Sequence, residues 1–167
     1  MKGVLVLNRV RQFFLSAFSK MNKDDVIFVE KHLDNFERQC FFKLKNSEQK
    51  HCVRVALLAE EMARNKNLNI DILIRAGLLH DVGKGIKKIN IFLKVLMVIL
   101  DRIFGERLLV FKAFDFVDSY YHHANLGYDI LKNHIKEDEL LHIILNHHSS
   151  IKGNSELEVI KYCDSNS

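Results

Sequence analysis

Leu78-Leu79-His80-Asp81-Val82-Gly83-Lys84-Gly85 carries an apolar helical pattern directly into a His-Asp pair, a glycine, a lysine and a second glycine. Imidazole and carboxylate are metal donors, and an ammonium group pairs with phosphate. Glycine lets a backbone leave a helix or come close to a ligand, which places Gly83 to end this helix. Alone, His80-Asp81 reads most simply as a helix end with a surface imidazole and an aspartate bonded to the following turn. To be the floor of a metal site it needs other donors converging on it from elsewhere in the chain.

Outward on both sides, apolar residues recur with the 3.6-residue period of amphipathic helices. Asn69 or Asp71 begins the helix that leads into the stretch, and its Leu73, Ala76, Gly77 and His80 share a face. Ser47 opens the helix before it, where His51, Val55, Leu58 and Met62 follow at spacings of four, three and four. His51 therefore sits in an apolar stripe. Downstream, Ser119 to Asn133 is helical, and the helical phase separates two adjacent histidines. His123 shares its face with Leu126, Gly127, Ile130 and Leu131, so it points inward, and Gly127 lets another helix approach closely. His122 shares its face with Asn125, Asp129 and Asn133 and points to a pocket rim or to water. In the helix from Glu137 to His148, Leu140, Leu141, Ile143, Ile144 and Leu145 supply core, and His147 and His148 follow apolar positions three and four back. His142 falls among Asp138, Glu139 and Asn146 and faces solvent. Asn154 or Ser155 caps a last helix in which Leu157, Ile160 and Asp164 share a stripe.

The chain of 167 residues is long enough for one domain with its own core. It has no proline and 7 scattered glycines, which together with the helical periods predict an all-α fold without a sheet. A net charge of +4 suits anionic small molecules or an acidic membrane surface and is too slight to predict nucleic-acid binding. Cys40, Cys52 and Cys163 are odd in number and far apart, as reduced core thiols in a cytoplasmic protein would be.

Two parts of the chain carry no obvious ligands. Val4 to Phe18 reads as a helix packed on the domain, with a membrane-surface contact as the lesser option. After it, Asn22 or Asp24 caps a helix through His32, and Asp34 caps another ending near Phe42. Ile86 to Val117 reads as one or two helices inserted between the halves of the site, serving as buried helix, lid, dimer face or membrane-surface contact. Asn90 and Lys94 interrupt its apolar run, which is too short to span a bilayer.

His51, His80, Asp81, His123, His147, His148 and Asp164 thus fall mostly on inward faces of separate helices, where unpaired imidazoles and carboxylates are costly. Their order, His…His-Asp…His…His-His…Asp, resembles that of the HD-domain superfamily of metal-dependent phosphohydrolases, from Ser47 to Ser165. The most specific parts are His80-Asp81-Val82-Gly83-Lys84, close to the HDIG variant, and His123-Ala124-Asn125-Leu126-Gly127. The resemblance implies an all-α, single-domain HD-type helical bundle at 47–167. Residues 1–46 would form an N-terminal helical extension packed on it, and 86–117 an inserted helical segment.

By the same resemblance, His51, His80, Asp81 and Asp164 would bind one metal. Asp81 would bridge to a second held by His123 and His147, with His148 as a further candidate. Iron or manganese suits such ligation best, and zinc, cobalt and nickel are not excluded. Two ions would activate a bridging water, making hydroxide the nucleophile on a phosphoester. Asp81 and Lys84 are then the catalytic candidates, with Lys84 and His122 on the substrate side. The implied partner is a small phosphorylated molecule such as a nucleotide. No Gly-Tyr-Pro follows His147-His148, and Val-Gly-Lys stands where guanosine tetraphosphate hydrolases carry Glu-Asp, so neither of those subfamilies is matched. An HD-type di-iron oxygenase and a non-catalytic sensor are the other readings.

Overall fold

The computed structural model describes residues 19–85 and 115–167, with backbone alone over 115–121. Among the described residues there are seven α-helices and no strand, in keeping with an all-α fold. The expected helix at Val4–Phe18 lies outside the described residues, as does the expected insertion apart from its last three residues, 115–117. No helix among the described residues is long and apolar enough to cross a membrane.

Side chains that satisfy orphan backbone donors decide where most helices begin. Asn22 caps α1 (Lys23–His32), accepting from the Asp25 nitrogen at 2.8 Å while Asp25 reaches back to the Asn22 nitrogen. Asp34 and Glu37 build the same reciprocal box at α2 (Asn35–Phe41). The long helix α3 (Asn46–Lys66) starts one residue before the expected Ser47, from Lys45, whose side chain makes no capping bond. It ends on Asn67, at φ 54°, a left-handed position that asparagine tolerates. Asn69 caps α4 (Ile70–Leu79), which stops at His80. A short 3-10 turn (Val82–Gly85), α5 (Asp115–Leu131), α6 (Asp138–Asn146) and α7 (Ser155–Asn166, capped by Asn154) complete the order.

The expected role of Gly83 needs correction. The helix ends four residues earlier, and Gly83 takes no left-handed conformation, since Gly153 is the one glycine with positive φ among the described residues. Gly83 is needed for space. The turn it occupies packs directly on α5, whose backbone would collide with any side chain there.

Helix α4 is the central element, packed on α3, α6 and α7. Its Leu73, Ile74, Leu78 and Leu79 are buried with Leu140, Ile143 and Ile144 of α6 and Leu157 and Ile160 of α7. Val29, Leu33, Cys40, Phe41 and Leu44, from α1 to the start of α3, belong to the same core. Each such side chain contributes about 1.5–3 kcal/mol of transfer free energy. All three cysteines are buried and free. Arg75 of α4 reaches the buried Glu37 of α2 at 2.6 Å and Glu137, at the start of α6, at 2.5 Å, tying three elements together.

Candidate metal centre

Helix ends bring the donors together. His80 and His147 occupy equivalent positions, each the residue on which its helix, α4 or α6, stops. Each imidazole turns back on its own helix, with His80 Nδ1 2.9 Å from the Gly77 carbonyl oxygen and His147 Nδ1 2.7 Å from that of Ile144. A carbonyl can only accept, so Nδ1 carries a hydrogen in both rings and Nε2 is the nitrogen turned to the centre. These carbonyls are among the ones a helix end leaves unpaired, so one bond caps the helix and orients the ring.

Asp81 lies between them, 1% exposed. Its Oδ2 accepts from Lys84 Nζ at 2.5 Å and lies 3.5 Å from His80 Nε2. Its Oδ1 faces His123 Nε2 at 3.3 Å and His147 Nε2 at 3.9 Å. The two oxygens thus look toward different imidazoles. From α7, Asp164 Oδ1 lies 2.9 Å from His51 Nε2 and 3.5 Å from His80 Nε2. His123 of α5 and His148, just past α6, set their Nε2 atoms 2.9 Å apart.

Two donor groups result, and both contain Asp81. One comprises His51, His80 and Asp81, with Asp164 beside it; the other comprises Asp81, His123, His147 and His148, the ligand atoms within each set lying within 4.8 Å of one another. His122 is half-buried and belongs to neither. Lys84, the expected phosphate contact, pairs with Asp81.

The donors fit metal ions. His80 Nε2, Asp81 Oδ1 and His147 Nε2 are buried and have no hydrogen-bond partner. Each such atom costs about 1–3 kcal/mol, a cost a cation between them removes. The His123–His148 separation of 2.9 Å is what two neighbouring ligands of one ion have at bonds of about 2.0–2.1 Å and a right angle.

Electrostatics favours ionised carboxylates and neutral His147 and His148. Burial pushes the Asp81 carboxyl up, but Lys84, His80 and His123 together hold it well below the usual carboxylate range. Burial likewise opposes ionisation of Asp164, and the hydrogen bond from His51 together with the nearby His80 outweighs it. Burial, then the neighbouring His80 and His148, lowers His147 to about 2, and burial with His123 lowers His148 to about 4. Those two imidazoles are neutral at pH 7 and able to ligate. Burial disfavours a charged His80, yet Asp81 and Asp164 raise it above 6.5, so these carboxylates favour positive charge at that ring.

Helical phase places His123 inward and His122 at a pocket rim or in water; His123 is buried and His122 half-buried. The Gly77 and Ile144 carbonyls, which orient two rings, were not anticipated. Every residue carries a carbonyl, so only a histidine closing a helix three positions later signals them. A family model described as HD domain matches residues 49–166. No curated protein and no solved structure matches the chain.

Proposed function

The chain belongs to the HD-domain family, and from that premise we propose that it is a metal-dependent phosphohydrolase acting on a nucleotide or other small phosphoester. The observation that carries this reading is the pair of donor groups joined through Asp81, with unpartnered buried atoms facing them. His51, His80, Asp81 and Asp164 would hold one ion, and Asp81, His123, His147 and His148 a second, iron or manganese being the best match for imidazole and carboxylate donors. When bound, the ions supply a water of lowered pKa and a clamp for phosphoryl oxygens.

The protein's own groups divide the remaining work. His80 and His147 commit Nδ1 to backbone carbonyls, which leaves Nε2 as the atom that would meet an ion. His80, Asp81, His123 and His147 form a buried floor. His51, Lys84 and Asp164 are partly exposed and His148 is exposed, which marks the side from which a substrate arrives. Lys84 balances one charge of Asp81 and holds an ammonium group on that open side, where it would meet a phosphoryl oxygen. His122, half-buried on the same helix as His123, is the candidate for a rim contact.

The test is hydrolysis of a panel of nucleotides and generic phosphodiesters by protein loaded with Mn²⁺ or Fe²⁺. Asp81→Ala should lose at least about a thousandfold in turnover, because both donor groups lose their shared member. Unchanged turnover in that variant would remove the proposal. Oxygen uptake without phosphoester cleavage would assign the oxygenase reading instead.

A further inference from the structure

Two glycines near the centre are points where backbones touch. A Cβ on Gly83 would stand 2.0 Å from the carbonyl oxygen of His123 and 2.7 Å from the nitrogen of Gly127. A Cβ on Gly77 would stand 2.6 Å from Cα of Ala56. In both places the obstacle is helical backbone, which cannot turn aside as a side-chain end can.

Each contact joins the two elements that carry members of one donor group. Gly83 follows Asp81 by two residues and touches the peptide of His123, whose Nε2 faces Asp81 Oδ1 at 3.3 Å. Gly77 precedes His80 by three and presses α4 onto α3, five residues along from His51. We infer that Gly83 and Gly77 are positioning residues that gauge the two groups separately. Gly83 sets the reach of His123 toward Asp81, and Gly77 sets His51 against His80. This rests on the two-ion reading of the centre. Gly127, on the other side of the Gly83 contact, is less critical, because a Cβ there would keep 3.4 Å from the Gly83 nitrogen.

Gly83→Ala must part the turn from α5 by about 1 Å to relieve the 2.0 Å contact, which is a large error for a ligand. The experiment titrates Mn²⁺ alone into the full chain, counts bound ions by elemental analysis and records the EPR spectrum, with circular dichroism as the check on folding. The wild type should bind two Mn²⁺ with a spin-coupled spectrum. Gly83→Ala should bind one, uncoupled, as His123→Ala does. Adding His123→Ala to Gly83→Ala should change nothing further, whereas adding it to Gly77→Ala should leave no bound ion. Gly127→Ala should keep both. If Gly83→Ala does not reach native helicity, Gly127→Val, whose branched carbons enter the same contact from α5, decides by the same spectrum. Two coupled ions in Gly83→Ala, or in Gly127→Val where that variant decides, would overturn the role of Gly83 alone. Two coupled ions in Gly77→Ala would overturn that of Gly77. Failure of the wild type to bind Mn²⁺ would overturn both this inference and the metal-dependent reading beneath it.

Discussion

At the scale of single residues, His147 shows how burial and ligation are linked. Its Nδ1 hydrogen is committed to Ile144, its Nε2 has no partner, and burial followed by nearby imidazoles lowers it to about 2 from 6.5. Between those values the unfolded chain holds a proton that the native state refuses, so metal-free protein loses stability as pH falls below 6.5. One group contributes at most about 1.4 kcal/mol per pH unit. His80, raised above 6.5, acts outside that window, its contribution being lost as pH rises through its folded value. We expect His147→Asn to flatten the acid slope by up to one group's share. Urea midpoints in chelator from pH 6.5 to 4.5 measure it, and equal slopes in the two proteins would contradict the account.

At the scale of elements, the helix ends do two jobs, and one ion-pair cluster keeps them in register. Arg75 is the link from α4 to Glu37 of α2 and to Glu137 at the head of α6, and Glu37 is 1% exposed. Removing the arginine leaves a buried carboxylate without its counter-ion, a change that costs about 3–5 kcal/mol. Arg75→Ala should therefore destabilise the fold by about 3 kcal/mol, and Arg75→Met combined with Glu37→Gln should recover much of that. Chemical denaturation of both variants tests it; equal losses would contradict the buried-charge account. The Ser47 expectation missed the start of α3 by one residue. Serine is the stronger capping residue, but the cap position falls on Lys45 and α3 forms without a side-chain cap.

At the scale of the whole molecule, the centre gathers donors from α3, the end of α4, α5, the end of α6 and α7. An ion bound there joins segments more than a hundred residues apart in sequence, such as His51 and Asp164. Binding to the native state alone stabilises by about 2.7 kcal/mol when free ion is a hundred times Kd, which for a chain of this size raises Tm by about 5–10 °C. Mn²⁺ should produce that rise, chelator should reverse it, and Asp81→Ala should abolish it in a thermal melt. A melting curve indifferent to metal in the wild type would argue that no ion completes the centre.

Periodicity in the sequence by itself determined the helices from α3 onward among the described residues and the inward face of His51, His80, His123 and Asp164, because a helical face is set by local geometry at 3.6 residues per turn. The order of histidines and aspartates likewise pointed to the HD family before any distance was known. Tertiary structure decided what depends on residues meeting across the chain: that Asp81 turns one oxygen to each donor group, that Lys84 neutralises Asp81, and that His148 stands at the exposed edge. It also changed the meaning of the opening stretch. Gly83 looked like a helix stop, a property of one residue's own torsions; it is instead the space into which the backbone of His123 fits, and that partner lies forty residues away.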